Sequence, residues 1–549
     1  MISTKVLNPS NPTILMNKVS IIIISCLGIL VYSNTFLCSF HLDDFASILN
    51  NFAIINIHHL HNIWIFLPRR FVLYLSLALN YHFNGVHVMG YHLLNLAVHL
   101  LAGIFVWWLT LLTLSTPVMK EDKIVGRSNI IALFAALVFI SHPLQTEAVT
   151  YIVQRAASMA ALFYLASLCF YIKSRLLQTD GSRGGSWQLY YIGSWMMAIV
   201  AMFTKENAIT LPLMILLYEV IFLSSNRKLV VPWRYLAPFL LTLFIIPLTM
   251  LFTENNPGRL QCLRNEPGIS PIHYLLTEFR VMVTYIRLSF IPLNQNLDYD
   301  YPIFKNFFEW PVLFSFIFLM TVLFWAKCYF CKYRLVSFSI FWFFLTLLPE
   351  SSLLPIKDVI FEHRLYLPLV GFSLFLVSSL YYLWGKNSIK LMVSILMVII
   401  AFFSILTFQR NKVWKDEITL WDDAVQKSSH KARAYEGRGF AYWEQGNLKQ
   451  AKGNFDKAIE LDPGLAEAYG NRGAVYLKEG NFKQAMVDLN KAIEIAPQLT
   501  EAYGNRGVIY DMQGKFTQAL SDFNKAIALD PNNVKAHHNL DFFLSRHGR

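Results

Sequence analysis

The chain has 549 residues, 55% of them hydrophobic and only 15% charged. A soluble domain carries roughly 25% charged residues, so this composition excludes disorder and a single soluble domain and points to a membrane protein with many spans. The net charge of +12 lies wholly in residues 1–413 (29 Lys+Arg, 17 Asp+Glu), because residues 414–549 hold 18 of each, which excludes a soluble basic domain and nucleic acid as a partner.

The first apolar run, residues 21–37, follows Lys18 and is too long for a signal-peptide core, so it is expected to remain as a helix. Further apolar runs centre near residues 100, 136, 164, 196, 216, 244, 318, 343, 374 and 398, giving about eleven crossings. The loops 115–128, 173–187, 225–234, 327–334 and 385–390 all carry Lys or Arg and fall on one side, which the positive-inside rule assigns to the cytoplasm. The other side receives residues 38–86, 142–155, 204–207, 253–308, 350–363 and the C-terminal region. Residues 274–290 are apolar but include Glu278, Arg280 and Arg287, and are expected to form an interfacial helix on the outer face. Cys328 and Cys331 form a CxxC with no second pair, and His58, His59 and His61 lack metal-ligand spacing, so no metal site is expected.

From about residue 432 the sequence repeats every 34 residues. Gly439, Gly473 and Gly507 share one position, as do Tyr442, Tyr476 and Tyr510; Ala451, Ala485 and Ala519; Ala458, Ala492 and Ala526; and Pro463, Pro497 and Pro531. Small residues let paired helices approach and proline ends the second helix, so the region resembles tetratricopeptide (TPR) repeats at 432–465, 466–499 and 500–533. A half-repeat at 414–427 precedes them and a capping helix follows from Val534.

Charges beside a membrane are costly, so the polar strings on the outer side are the candidates for chemistry. Phe40-His41-Leu42-Asp43-Asp44-Phe45 places two carboxylates just past the first span, either as end caps or as a general base and its helper. Ser141-His142-Pro143-Leu144-Gln145-Thr146-Glu147 continues to Arg155, eight residues beyond the glutamate, a spacing that returns to one face of a continuous helix. Thr204-Lys205-Glu206 is either a hairpin turn or a phosphate contact. Glu350 and then Phe361-Glu362-His363-Arg364 lie at the mouth of a span, and Arg69 and Arg70 raise the same question of phosphate binding against snorkelling.

These strings together resemble the GT-C membrane glycosyltransferases, and more narrowly the transmembrane and TPR-containing (TMTC) O-mannosyltransferase family. The resemblance rests on Gly90-Tyr91-His92 to His99, His142-Pro143-Leu144-Gln145-Thr146-Glu147, Lys205-Glu206-Asn207, Asn296-Leu297-Asp298-Tyr299-Asp300-Tyr301-Pro302 and Glu362-His363-Arg364-Leu365-Tyr366, in order, followed by repeats. It implies an all-α fold: a polytopic GT-C-type bundle over residues 1–413, then an α-solenoid of TPR repeats over 414–549. It implies transfer of a sugar, mannose in this family, from a polyprenyl-phosphate donor to a hydroxyl, a protein Ser or Thr, with no cofactor. Asp43 would be the base with Asp44 beside it, and Arg69, Arg70, Glu147, Arg155, Lys205, Glu206, Glu362, His363 and Arg364 would line the donor pocket. Two departures stand out: relatives often have Arg-Pro where this chain has Arg70-Phe71, and Arg directly after the glutamate where it has His363. The partners implied are the lipid-linked sugar, membrane lipid and an acceptor protein held by the repeats. The site would face the periplasm from a bacterial inner membrane, or the lumen from an endoplasmic reticulum membrane. The alternatives are a non-catalytic membrane-anchored TPR scaffold and a flippase or polymerase of lipid-linked sugars.

Overall fold

The computed structural model describes residues 12–179, 185–223, 233–253, 269–352, 355–356, 358–531 and 533–547. Most of the basic loop 225–234, and the tip of the loop 173–187, lie outside them. The described chain is helical with no strand, and it divides into two compact units. The first comprises residues 1–295 and 301–415; the second comprises 296–300 and 416–549.

The first unit contains α1 (Pro12–Val31), α2 (Phe71–Asn84), α3 (Val88–Leu114), α4 (Ser128–Ser141), α5 (Arg155–Thr179), α6 (Pro271–Phe290), α7 (Arg334–Leu347), α8 (Pro368–Leu380) and α9 (Ile389–Val413), with further helices between them. Eight helices of the described chain are long and apolar enough to cross a membrane: Val88–Leu114, Lys123–Ser141, Ile152–Gln178, Glu206–Leu223, Trp233–Leu251, Trp310–Cys328, Pro368–Gly385 and Ile389–Val413. A pair bent by 112°, Leu60–Phe66 with Pro68–Asn84, would make a ninth. The eleven expected crossings therefore include three shorter helices: the apolar stretch Met16–Val31 of α1, the 17-residue Ser186–Met202, and the 14-residue α7. A ~30 Å hydrocarbon layer needs about 17–25 residues, which the 14-residue α7 does not supply alone.

One other expectation changes. The first apolar run does not stay helical to residue 37: Ser33 and Thr35 turn their hydroxyls onto the carbonyls of Leu30 and Tyr32, at 2.8 and 2.9 Å, and the helix stops at Val31. The stretch at 274–290 forms α6, a helix not among the eight long and apolar enough to cross a membrane. α6 buries Tyr274, Glu278, Val281, Tyr285 and Leu288 within the unit.

A polar stripe on α3 organises the loops around it. Tyr91, His92, Asn95 and His99 are fully or nearly fully buried, at spacings that keep them on one side of a helix. The His92 Nε2–H donates to the Cys38 carbonyl (3.0 Å), the Asn95 amide to that of Val149 (3.0 Å), and the His99 Nε2–H to that of Ile140 (3.3 Å). The Tyr366 hydroxyl donates to the other His99 nitrogen at 2.7 Å. The string from Gly90 to His99 is thus a set of anchors for four distant segments.

Where α7 meets α8, Gly371 leaves no room: a Cβ there would sit 2.7 Å from the Ser339 carbonyl oxygen and 2.8 Å from the Trp342 ring. Gly371→Ala is expected to lower stability by about 1–3 kcal/mol through overpacking. Thermal unfolding in detergent reads this; an unchanged midpoint would mean that the two helices can part at no cost.

In the second unit three helix pairs follow the repeat: Ala432–Glu444 with Leu448–Leu461, Ala466–Lys478 with Phe482–Ile495, and Thr500–Met512 with Phe516–Leu529. Glu417–Lys427 precedes them and Val534–His547 caps them. Added Cβ atoms at Gly439, Gly473 and Gly507 would lie 2.7, 2.9 and 2.7 Å from Phe455, Leu489 and Phe523, the close approach that the sequence pattern requires. Each repeat also carries an arginine that reaches sixteen residues both ways: Arg472 to Asp488 and Asp456, Arg506 to Asp522 and Asn490, Arg438 to Asn454 and Asp422. The segment 296–300 joins this unit. The Arg433 guanidinium grips Asp298 at 2.8 and 2.6 Å, the Lys431 ammonium pairs with it at 2.6 Å, and the Asn296 amide donates to the Ser428 hydroxyl at 2.7 Å.

Candidate functional site

The loop after α1 is held from three directions. The Ser39 N–H donates to the Lys415 carbonyl (3.2 Å), and the buried His41 donates from Nε2 to the Trp414 carbonyl (2.7 Å). The Asp44 carboxylate, wholly buried, accepts the backbone N–H groups of His41 (3.0 Å) and Val153 (2.8 Å). Between them Leu42 adopts φ +47°, a left-handed conformation that costs a leucine of order 1–3 kcal/mol and persists only where its surroundings enforce it. This turn leaves the Asp43 side chain exposed, and among the described residues its carboxylate has no hydrogen-bond or ion-pair partner. Its backbone N–H donates to the Tyr151 hydroxyl at 2.8 Å, and the Tyr151 ring stacks on Trp414 with centroids 5.4 Å apart.

The two adjacent aspartates thus have opposite environments. Burial pushes the Asp44 carboxyl up to about 7, against the pull of its two backbone donors. Its pKa in the folded chain exceeds the unfolded value, so its stabilising contribution is complete below the unfolded pKa and is lost as pH rises toward 7. Asp44→Asn should flatten the fall in unfolding midpoint between pH 4 and 7 relative to the wild type. The two proteins keeping parallel pH profiles would show that Asp44 is ionised throughout.

The string from His142 to Arg155 is not one helix. Helix Thr146–Thr150 ends at Tyr151, whose ψ of 113° is extended, and a 3-10 turn, Ile152–Gln154, leads into α5. Glu147 and Arg155 therefore do not share a face, contrary to the spacing argument. Fully buried Arg155 is spent on the Asn95 side chain, the Tyr91 carbonyl (3.1 Å) and the Ser76 hydroxyl (3.3 Å), where it clamps α2, α3 and α5 together. Glu147 instead faces His363, accepting its backbone N–H at 3.0 Å, with Oε1 2.7 Å from His363 Nδ1. Burial raises the Glu147 carboxyl to about 7 and drives His363 well below its ordinary range, so burial disfavours the charged form of each partner.

The remaining charged strings close around this pair. At the 112° bend, Arg69 Nε lies 2.9 Å from Glu206, and Arg70 grips the same carboxylate through Nε and Nη2 at 3.0–3.2 Å. The Lys205 ammonium, 5% exposed, sits 3.2 Å from Glu350. Arg364 donates to the carbonyls of Asp358 (2.7 Å) and Val359 (2.9 Å) and lies 3.9 Å from the wholly buried Glu278. Glu362 accepts from the Gln295 amide at 2.7 Å. Lys205, Glu350, Arg364 and Arg70 all act electrostatically on His363, and Lys205 and Arg410 on Glu147. Asp43 and Glu147 both act on Tyr151. The structure thus brings Arg69, Arg70, Lys205, Glu206, Glu147, His363 and Arg364 into one charged cluster, reached from Asp43 through Tyr151, and leaves Arg155 outside it.

Four participants were not among the sequence candidates. Glu278 was placed on an interfacial helix, Glu350 was noted but given no role, and Tyr151 and Arg410 went unremarked. Only Tyr151 carried a signal, as an aromatic residue midway between Glu147 and Arg155. Among the described residues no group of three or more His, Cys, Asp or Glu is placed to hold a metal ion. An apolar cleft of about 170 Å³ opens between α6, α7, α8 and the helix Trp310–Cys328, lined by Phe290, Phe318, Phe343, Phe372 and Phe375 among others. Phe372 of this cleft touches the His142 ring, and His142 donates to the Ser289 carbonyl at 2.9 Å.

Tetratricopeptide repeat models match residues 432–465, 466–499 and 500–533. The chain is 25% identical over 461 residues to the Protein O-mannosyl-transferase Tmtc3 of Drosophila melanogaster, covering 70% of this chain and 48% of that protein. It is 25% identical over 427 residues to Homo sapiens TMTC3, covering 71% and 44%, and 30% identical over 259 residues to Homo sapiens TMTC2, covering 44% and 29%. The chain thus spans about half the length, or less, of these curated relatives. Over about 70% of its length the chain is therefore similar to the TMTC protein O-mannosyl-transferases, and its C-terminal region consists of tetratricopeptide repeats.

Proposed function

We propose that the chain is a GT-C-type glycosyltransferase that moves mannose from a polyprenyl-phosphate donor to a Ser or Thr hydroxyl of a protein. The observation that carries this reading is the contrast at Asp43. One exposed, unpartnered carboxylate stands on an enforced turn, and its backbone N–H is bound to Tyr151, on which Glu147 of the charged cluster also acts. In the reaction the acceptor oxygen attacks the anomeric carbon and forms the new O–C bond. The bond from that carbon to the lipid phosphate breaks, the phosphate leaves with the electron pair, and the hydroxyl proton passes to Asp43. Arg69, Arg70, Lys205 and Arg364 supply positive charge for the departing phosphate. Glu206 and Glu350 hold these cations in place. The apolar cleft suits an isoprenoid tail, because its lining is largely phenylalanine and offers hydrocarbon contacts. The repeat array suits the acceptor protein, since stacked helix pairs form extended binding surfaces. On the positive-inside assignment the site faces the periplasm in a bacterium or the endoplasmic reticulum lumen in a eukaryote.

The test is transfer of labelled mannose from undecaprenyl- or dolichyl-phosphate mannose to protein by the full chain in vesicles. Absence of transfer with both donors, from protein shown to be folded, would leave the scaffold reading in its place.

A further inference from the structure

We propose that Tyr151 is the positioning residue of the catalytic base, its hydroxyl fixing the backbone of Asp43 while its own O–H stays available to the acceptor hydroxyl. This rests on the glycosyl-transfer reading above and adds to it a residue whose side chain is not an acid, a base or a phosphate contact.

The geometry supports the assignment from both sides of the hydrogen bond. Tyr151 is 3% exposed, and its oxygen accepts the Asp43 N–H at 2.8 Å across 108 residues of sequence. A phenol that accepts in this way still has its own proton to donate. Among the described residues no acceptor takes it. The proton is thus held beside a carboxylate that also lacks a partner. A hydroxyl arriving between the two would accept from Tyr151 and donate to Asp43, which selects the lone pair that faces the sugar. The ring cannot drift, because it stacks on the wholly buried Trp414 at an interplanar angle of 24°. Trp414 in turn accepts from His41, and Asp44 ties His41 to Val153. The left-handed Leu42 sits inside this frame, so the Tyr151 bond helps to hold the strained turn that presents Asp43.

Tyr151→Phe keeps the stacked ring and removes only the hydroxyl. Three full-length proteins in vesicles decide the matter: wild type, Asp43→Asn and Tyr151→Phe, assayed with undecaprenyl- and dolichyl-phosphate mannose. The expected result for Tyr151→Phe is a fall in kcat of about tenfold or more, with KM for the donor and the unfolding midpoint unchanged. Hydrogen exchange at the Asp43 amide should quicken by about tenfold, while the Val153 amide, bound to Asp44, stays protected. Wild-type kcat in Tyr151→Phe, alongside an inactive Asp43→Asn, would overturn the proposal and leave the enzyme reading intact. So would a loss of activity that follows a lowered unfolding midpoint, since Tyr151 would then be structural only. A wild type that transfers no mannose would remove the enzyme reading and the proposal with it.

Discussion

Asp43→Asn is expected to lower mannose transfer by roughly 10²–10⁴-fold, the usual contribution of a positioned base. The amide cannot take the acceptor proton, yet nothing around it should move. The side chain is exposed, its carboxylate has no partner among the described residues, and the bond to Tyr151 uses the backbone N–H. Donor KM and unfolding midpoint should therefore match the wild type. The neighbouring residue gives the contrast. Asp44→Asn breaks an acceptor of two backbone donors, so it should act on stability first. Transfer at the wild-type rate by Asp43→Asn would remove Asp43 as the base.

Arg364→Ala is expected to cost roughly 3–5 kcal/mol of stability, the range for breaking a buried charged pair. The loss leaves the carbonyls of Asp358 and Val359 without their donor and Glu278 without its cation. Burial already raises the Glu278 carboxyl to about 7, opposed by Arg364. Without the guanidinium it would take up a proton more readily, so the variant should be weaker relative to wild type at pH 8 than at pH 6. Adding Glu278→Leu should restore more than half of the stability, because the stranded acid is gone, while transfer stays low. Unfolding midpoints and transfer rates of the single and double variants separate the two effects. Full recovery of activity in the double variant would mean that Arg364 serves only to neutralise Glu278.

The periodic parts of this chain were legible and the broken parts were not. Gly439, Gly473 and Gly507 recur at a fixed period because each fills the same close contact, and long apolar runs such as that around residue 100 must become helices. The site is built where periodicity fails. A face argument joined Glu147 to Arg155, but the extended Tyr151 interrupts the helix between them, and only tertiary packing decides where such a break falls. The residue types at Arg69, Arg70, Lys205 and Glu206 suggested phosphate chemistry one string at a time. Their mutual pairing joins residues up to 137 positions apart, as from Arg69 to Glu206, which no local pattern encodes. Glu278 drew no role in the site for a related reason: its partner, Arg364, lies 86 positions away in the chain.

The five residues 296–300 bear on modularity. Repeat arrays are commonly treated as cassettes that can be exchanged between proteins at a single junction. Here the unit that contains the repeats also includes a piece encoded more than a hundred residues upstream, gripped through Ser428, Lys431 and Arg433. An exchange made only at residue 416 would transplant the array without Asp298, the carboxylate that Lys431 and Arg433 share. The portable element is discontinuous. Lineages that shuffle such arrays would have to carry both pieces together, so the loop and the first repeat are expected to be inherited as a pair.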